Sequence, residues 1–323
     1  MLFNTEELAW AAGVVGRWVP PTPQYAWPLL QRQLGMEVWV KHENHTPTGA
    51  FKVRGGLVYT ERLRSGRPGV RGIVSATRGN HGQSLAFAGR AAGMAVTIVV
   101  PHGNSRDKNA AMEAFGAELI VYGDDFQEAR EHASELGAER GLETVPSYHP
   151  DLVLGVATYA KELFEACGEL DAVYVPVGMG SGICGLIGVR DLLGLRTEVI
   201  GVVTERAPAT AMSVAAGRVM TTESARTFVD GVATRVPDAD AISVMLAGAA
   251  RVLTVSEDAA ADAMRVMFAA THNAAEPAGA LSLAGLLTEL DLVAGKRVAV
   301  IHSGGNVDAD VLFRVLAGQT PTV

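Results

Sequence analysis

The chain has 323 residues, 48% of them hydrophobic, with 36 glycines, a net charge of −8 and an isoelectric point near 5.5. That acidic balance, with no run of five like charges, argues against a nucleic-acid surface, and the lack of eighteen consecutive apolar residues excludes an ordinary membrane span. Cys167 and Cys184 lack CxxC spacing, no His/Cys cluster suggests a metal, and the acidic N-terminal stretch with Glu6 and Glu7 resembles no secretory signal, so a cytoplasmic protein is expected.

The first notable segment is TPTGAFKVRGG (46–56), where Lys52 lies between Phe51 and Val53 and is edged by Gly49, Gly55 and Gly56. A solvated surface lysine is the ordinary reading. A lysine held at a pocket floor for covalent chemistry, with the glycines leaving room for a ligand and backbone, is the competing one. From residue 72, β-rich runs alternate with alanine-rich helical patterns. GIVSAT (72–77) reads as a strand, HGQSLAFAGRAAG (81–93) as a helix, and AVTIVVP (95–101) as the next strand. A helix around 105–115, the strand AELIVYG (117–123) and a helix through Gly137 follow. This alternation marks βαβ crossovers on a parallel sheet. Residues 72–147 are therefore expected to form a small substrate-side domain beside a larger, discontinuous one made of 1–71 and 148–323.

The pattern resumes with ATYAKELFEA (157–166) as a helix, AVYVPVG (172–178) as a strand, and a glycine loop opening a helix near 182–193. EVIGVVT (198–204) and RVLTVS (251–256) read as strands, and EDAAADAMRVMFAA (257–270) as an amphipathic helix. KRVAVIHSGG (296–305) contains the last strand, and a helix starts from about Asp308. The stretch 218–245 has no clean period and reads as irregular. The expected fold is two open, twisted α/β lobes with a cleft between them.

In open parallel sheets, ligands bind where strand ends hand over to helix N-termini. Three segments occupy such places: SATRGNHGQS (75–84), PVGMGSGICG (176–185) and HSGGNVD (302–308). In the middle one, Gly178, Gly180 and Gly182 permit turns that expose backbone amides to a phosphate. No GK[ST] follows, so it is not a P-loop. The next strand ends in VVT with no acid for a ribose, so a small phosphorylated cofactor is favoured over a nucleotide. A tight turn without a ligand is the alternative for this loop taken alone. A reactive lysine plus a phosphate cradle are the two anchors that pyridoxal phosphate requires.

With these residues assembled, the chain resembles the fold-type II pyridoxal-phosphate enzymes, and most of all their threonine/serine dehydratase and serine racemase branch. The resemblance runs over roughly residues 20 to 310. TGAFKVRGG is similar to that branch's S/T-G-x-F-K-x-R-G block, and Val53 stands where cysteine and threonine synthases carry Asp. The resemblance implies that Lys52 holds the cofactor covalently and Phe51 covers one ring face. It further implies that Asn80 bonds the ring hydroxyl, while Thr77 and His81 grip the substrate carboxylate. Gly178, Met179, Gly180, Ser181 and Gly182 would hold the phosphate. FVDGVA (228–233) resembles the A-D-G block, placing Gly231 against the second ring face. AEPAGA (275–280) matches E-P-x-A-G, bringing Glu276 near the imine end, and Ser303 would bond the pyridine nitrogen. A serine there leaves the ring a weaker electron sink than an aspartate would, which favours prompt loss of a β-leaving group over transamination.

The implied activity is an ammonia-lyase. It would convert an L-3-hydroxy amino acid (threonine, serine or a bulkier 3-substituted serine such as a phenylserine) to a 2-oxo acid and ammonia, with Lys52 as base and a homodimer as the assembly. Racemisation or β-replacement on the same fold is the alternative. A non-catalytic binding module would have lost the lysine or the phosphate loop, and neither is lost.

Two places depart from the family. Arg78 replaces the small residue before GNH, a serine in the racemases, and an arginine cannot exchange a proton at neutral pH. It either braces the loop or reaches the substrate, for example to pair with a carboxylate. Val203 and Ala209 stand where racemase-like chains carry carboxylates for a divalent cation, and Glu205 is two residues away, so no metal is expected. The chain ends soon after SGGN, so feedback control by a branched-chain amino acid is not expected either.

Overall fold

Residues 2–322 are described in this computed structural model. The first part comprises α1 (Thr5–Gly16), β1 (Gln24–Ala26), α2 (Pro28–Leu34), β2 (Val38–His42), a 3-10 turn (Glu43–His45) and α3 (Lys52–Gly66). Next come β3 (Gly72–Ala76), α4 (Asn80–Ala92), β4 (Ala95–Val100), α5 (Arg106–Ala114), β5 (Glu118–Val121), α6 (Phe126–Arg140) and β6 (Glu143–Thr144). The chain continues through α7 (Pro150–Cys167), β7 (Ala172–Pro176), α8 (Ser181–Leu192), β8 (Glu198–Thr204) and α9 (Ala209–Ala216). A second 3-10 turn (Asp230–Val232) precedes α10 (Ala239–Gly248), β9 (Arg251–Val255) and α11 (Glu257–Thr271). The last elements are α12 (Pro277–Thr288), α13 (Leu290–Val293), β10 (Val298–His302) and α14 (Ala309–Leu316).

The strands form two sheets, as the two-lobed α/β expectation requires. One has the order β1-β2-β10-β7-β8-β9, antiparallel only between β1 and β2; the other, β5-β4-β3-β6, is parallel throughout. Parallel strands buried on both faces read as continuous apolar runs, and β3, β7 and β10 are buried at every position. Alternate residues serve opposite layers. Val173, Val175, Ala299 and Ile301 pack with α7 and α8, while Ala172, Tyr174, Val298 and Val300 pack with α11 and α12. In the smaller sheet, Ile73, Ile98 and Val100 meet Leu85 of α4 and Met112 of α5, and Val74, Ala76 and Val99 meet α6.

The glycines after Lys52 serve helix packing, not ligand room. A Cβ on Gly55 would lie 2.8 Å from the Leu152 carbonyl oxygen, and one on Gly155 would overlap the Arg54 backbone, so α3 and α7 cross glycine against glycine. A Cβ on Gly56 would overlap Ser84 of α4. Part of the stretch read as irregular is helical: α10 starts at Ala239, where the Asp238 carboxylate accepts the amides of Asp240 and Ala241. Among the described residues no helix is long and apolar enough to cross a membrane.

Candidate active site

Lys52 opens α3, and the segment before it is stitched to the end of β10. The Phe51 amide donates to the Ser303 carbonyl at 3.0 Å, the Gly305 amide donates to Gly49 at 2.9 Å, and Ala50 bridges Gly304. Protein surrounds Lys52, whose residual exposure is to the cleft. Its Nζ lies 5.9 Å from the Phe51 ring centre and has no hydrogen-bonding partner among the described residues. Burial holds this amine below the usual lysine range, assisted by nearby Lys108 and opposed by Glu276 and Asp230.

Two helix N-termini whose glycine cap residues offer no side chain open on the same cleft. At α8, Gly180 occupies the cap position with φ +103°, so its glycine is required for the turn. A Cβ at Gly178 would stand 2.6 Å from the Gly231 carbonyl, so the β7–α8 loop and the second 3-10 turn close against each other. At α4, Gly79 is the cap residue, and the Thr77 hydroxyl accepts the Gly79 amide at 3.0 Å. Unpaired amides at such termini attract anions.

Every candidate cofactor- or substrate-binding residue lines this one cleft: Phe51, Lys52, Thr77, Arg78, Asn80, His81, the run Gly178–Gly182, Gly231, Glu276 and Ser303. Their states differ. Ser303 Oγ makes only a 3.5 Å contact to the Ala278 carbonyl and is otherwise uncommitted. Asn80 is committed at both ends, its Nδ2 donating to Glu276 at 2.6 Å and its Oδ1 accepting from Asn306 at 2.9 Å. His81 is buried with Nε2 unpartnered, and burial pushes its pKa down to about 3, so it is neutral. Arg78 is exposed at the rim and pairs with no described side chain.

Sequence reasoning missed two charged members of the cleft. Lys108, on α5, is buried, and its Nζ reaches Asp230 at 2.5 Å and Glu276 at 3.2 Å. Asp230 lay inside the FVDGVA block and was readable there. Lys108 carries only the hint that it shares the inward face of α5 with buried Met112. Among the described residues no three His, Cys, Asp or Glu side chains converge as metal ligands; Val203 and Ala209 are buried and Glu205 is exposed.

The donor set suits pyridoxal phosphate. An unpartnered amine in a desolvated floor fits an aldehyde, a glycine turn with free helix amides fits a phosphate, and an uncommitted hydroxyl fits a ring nitrogen. The family described as pyridoxal-phosphate dependent enzyme matches residues 16–304. Over 316 residues the chain is 30% identical to the L-threo-3-hydroxyaspartate ammonia-lyase of Saccharomyces cerevisiae, covering 97% of each. It is also 30% identical over 307 residues to a serine racemase of Schizosaccharomyces pombe, covering 94% of each. A solved T.th. threonine deaminase superposes with a TM-score of 0.87 at 31% identity, over 95% of this chain and 99% of that one.

Proposed function

The chain belongs to the pyridoxal-phosphate-dependent enzyme family, and from that premise we propose that it is an ammonia-lyase acting on an L-3-hydroxy amino acid. The observation that carries the reading is the cleft-floor amine of Lys52, free of partners and held below its usual pKa by burial. When bound, pyridoxal phosphate supplies the electron sink that acidifies the substrate Cα–H. The protein supplies the rest. The amides of Gly178–Gly182 at the α8 N-terminus would hold the phosphate, and the Ser303 hydroxyl would serve the ring nitrogen. Phe51 and the Gly231 backbone would flank the ring. At the α4 N-terminus, amides beside Thr77 hold the substrate carboxylate, and neutral His81 adds no competing charge.

Lys52 Nζ then takes the Cα proton as general base. Loss of that proton and of the β-hydroxyl amounts to loss of water, and the released 2-amino-2-alkenoate is hydrolysed to a 2-oxo acid and ammonia. Racemisation needs a second proton-exchanging group on the opposite face. Arg78 cannot serve at neutral pH, and Lys108 is held cationic by Asp230 and Glu276.

Arg78, cationic and unpaired at the rim, supports a preference for a second substrate carboxylate. The test is a panel of L- and D-3-hydroxy amino acids, including threonine, serine, phenylserine and threo-3-hydroxyaspartate, scored by 2-oxo acid formation. We expect turnover of L-substrates, and expect Arg78→Ala to lower kcat/KM for the dicarboxylic member by about tenfold or more relative to threonine, the scale of one charge-assisted hydrogen bond. Interconversion of enantiomers without 2-oxo acid overturns the elimination reading. A uniform effect of Arg78→Ala across the panel overturns the role of Arg78.

A further inference from the structure

Lys108 crosses the cleft beside Lys52. It projects from α5, in the four-stranded lobe, to Asp230 and Glu276, which belong to the six-stranded lobe. Its side chain is 6% exposed. Two glycines leave room for this arrangement: a Cβ on Gly79 would overlap Lys108 Cδ, and one on Gly304 would overlap Glu276 Oε1. Glu276 is also fixed from its other oxygen by the Asn80 amide at 2.6 Å. The clasp is thus built by the α4 loop, α5, the second 3-10 turn, the α12 N-terminus and the loop after β10.

The charges facing Lys52 can be named. Asp230 and Glu276 draw a proton toward it, Lys108 repels one, His81 is neutral, and Arg78 lies out at the rim. We propose that Lys108 is a positioning residue for Lys52: by clasping Asp230 and Glu276 it offsets the carboxylate charge beside that amine and so leaves the amine able to accept a proton. The inference rests on Lys52 being the cofactor lysine and base. If Lys108 is removed, Lys52 becomes the remaining cation beside Asp230 and the buried Glu276, and its affinity for a proton rises.

The experiment follows the rate at which cofactor-free protein takes up added pyridoxal phosphate, read by absorbance across pH, because only the neutral amine reacts. In Lys108→Met the pH of half-maximal rate is expected to move up by about one unit or more. Lys108→Arg, which keeps the cation, should return it toward the wild-type position. Asp230→Asn, which removes one carboxylate charge, should move it down. A folded Lys108→Met protein with an unshifted profile overturns the proposal. Should that variant fail to fold, an Asp230→Asn profile that does not move down overturns it equally. If Lys52→Ala takes up cofactor with the wild-type profile, the Lys52 assignment fails instead, which separates the two outcomes.

Discussion

Two residues past Lys52, Arg54 is completely buried and forms a fork on Glu43, with Nε to Oε2 at 2.7 Å and an Nη to Oε1 at 3.0 Å. The same guanidinium reaches Glu162 at 2.6 and 2.9 Å and Thr158 at 3.1 Å, while Lys41 adds a 2.6 Å contact to Glu162. Two cations against two carboxylates leave no net buried charge. The cluster ties β2, the first 3-10 turn and α7 to the first turn of α3, which bears Lys52. A buried pair is weak evidence for net stability, but removing one partner leaves the other charges uncompensated. Arg54→Met should therefore cost about 3–5 kcal/mol in denaturant-induced unfolding. A loss below about 1 kcal/mol, the range of exposed pairs, would show the network to be dispensable.

At the scale of elements, the legible ones were those with a local signature. Seven strands, β3, β4, β5, β7, β8, β9 and β10, announce themselves as short β-branched runs ended by turn residues. By contrast α12 is buried at every position from Pro277 to Leu286, so it has no polar face and no 3.6-residue period to read. Gly55 and Gly56 hid α3, because their reason lies in α7 and α4, far along the chain. The helix read at 157–166 starts at Pro150, with the His149 ring accepting the Asp151 amide at 3.1 Å as its cap. The cleft residues were legible for a related reason: Thr77, Arg78, Gly178–Gly180 and Ser303 sit in loops directly after strands, and the family's motifs name Phe51, Lys52, Gly231 and Glu276. Lys108 was not, since an ion pair spanning 122 positions leaves no mark in the local sequence.

At the scale of the whole molecule, the polar contacts that join elements around the two sheets include Lys108 to Asp230 and Glu276, Asn80 to Glu276, Asn306 to Asn80, and Ser105 to Asp308. Three histidines are held neutral inside this frame. Burial is the largest cause in each case, pushing His42 down to about 4 and His81 and His302 down to about 3, from an ordinary 6.5. Because the unfolded chain binds these protons first, their contribution is intact above about pH 6.5 and is lost progressively as pH falls toward their folded values. The unfolding temperature should drop steeply between about pH 6.5 and about pH 4, with a shallower slope in His42→Asn. A flat profile, or an equal slope in the variant, would contradict this. The central claim, that Lys52 is the amine that carries the cofactor, is tested most directly by reducing the cofactor-loaded enzyme with borohydride and mapping the modified peptide by mass spectrometry. The account predicts one pyridoxyl-phosphate adduct, on Lys52; an adduct on Lys108 or any other lysine, or none at all, would contradict it.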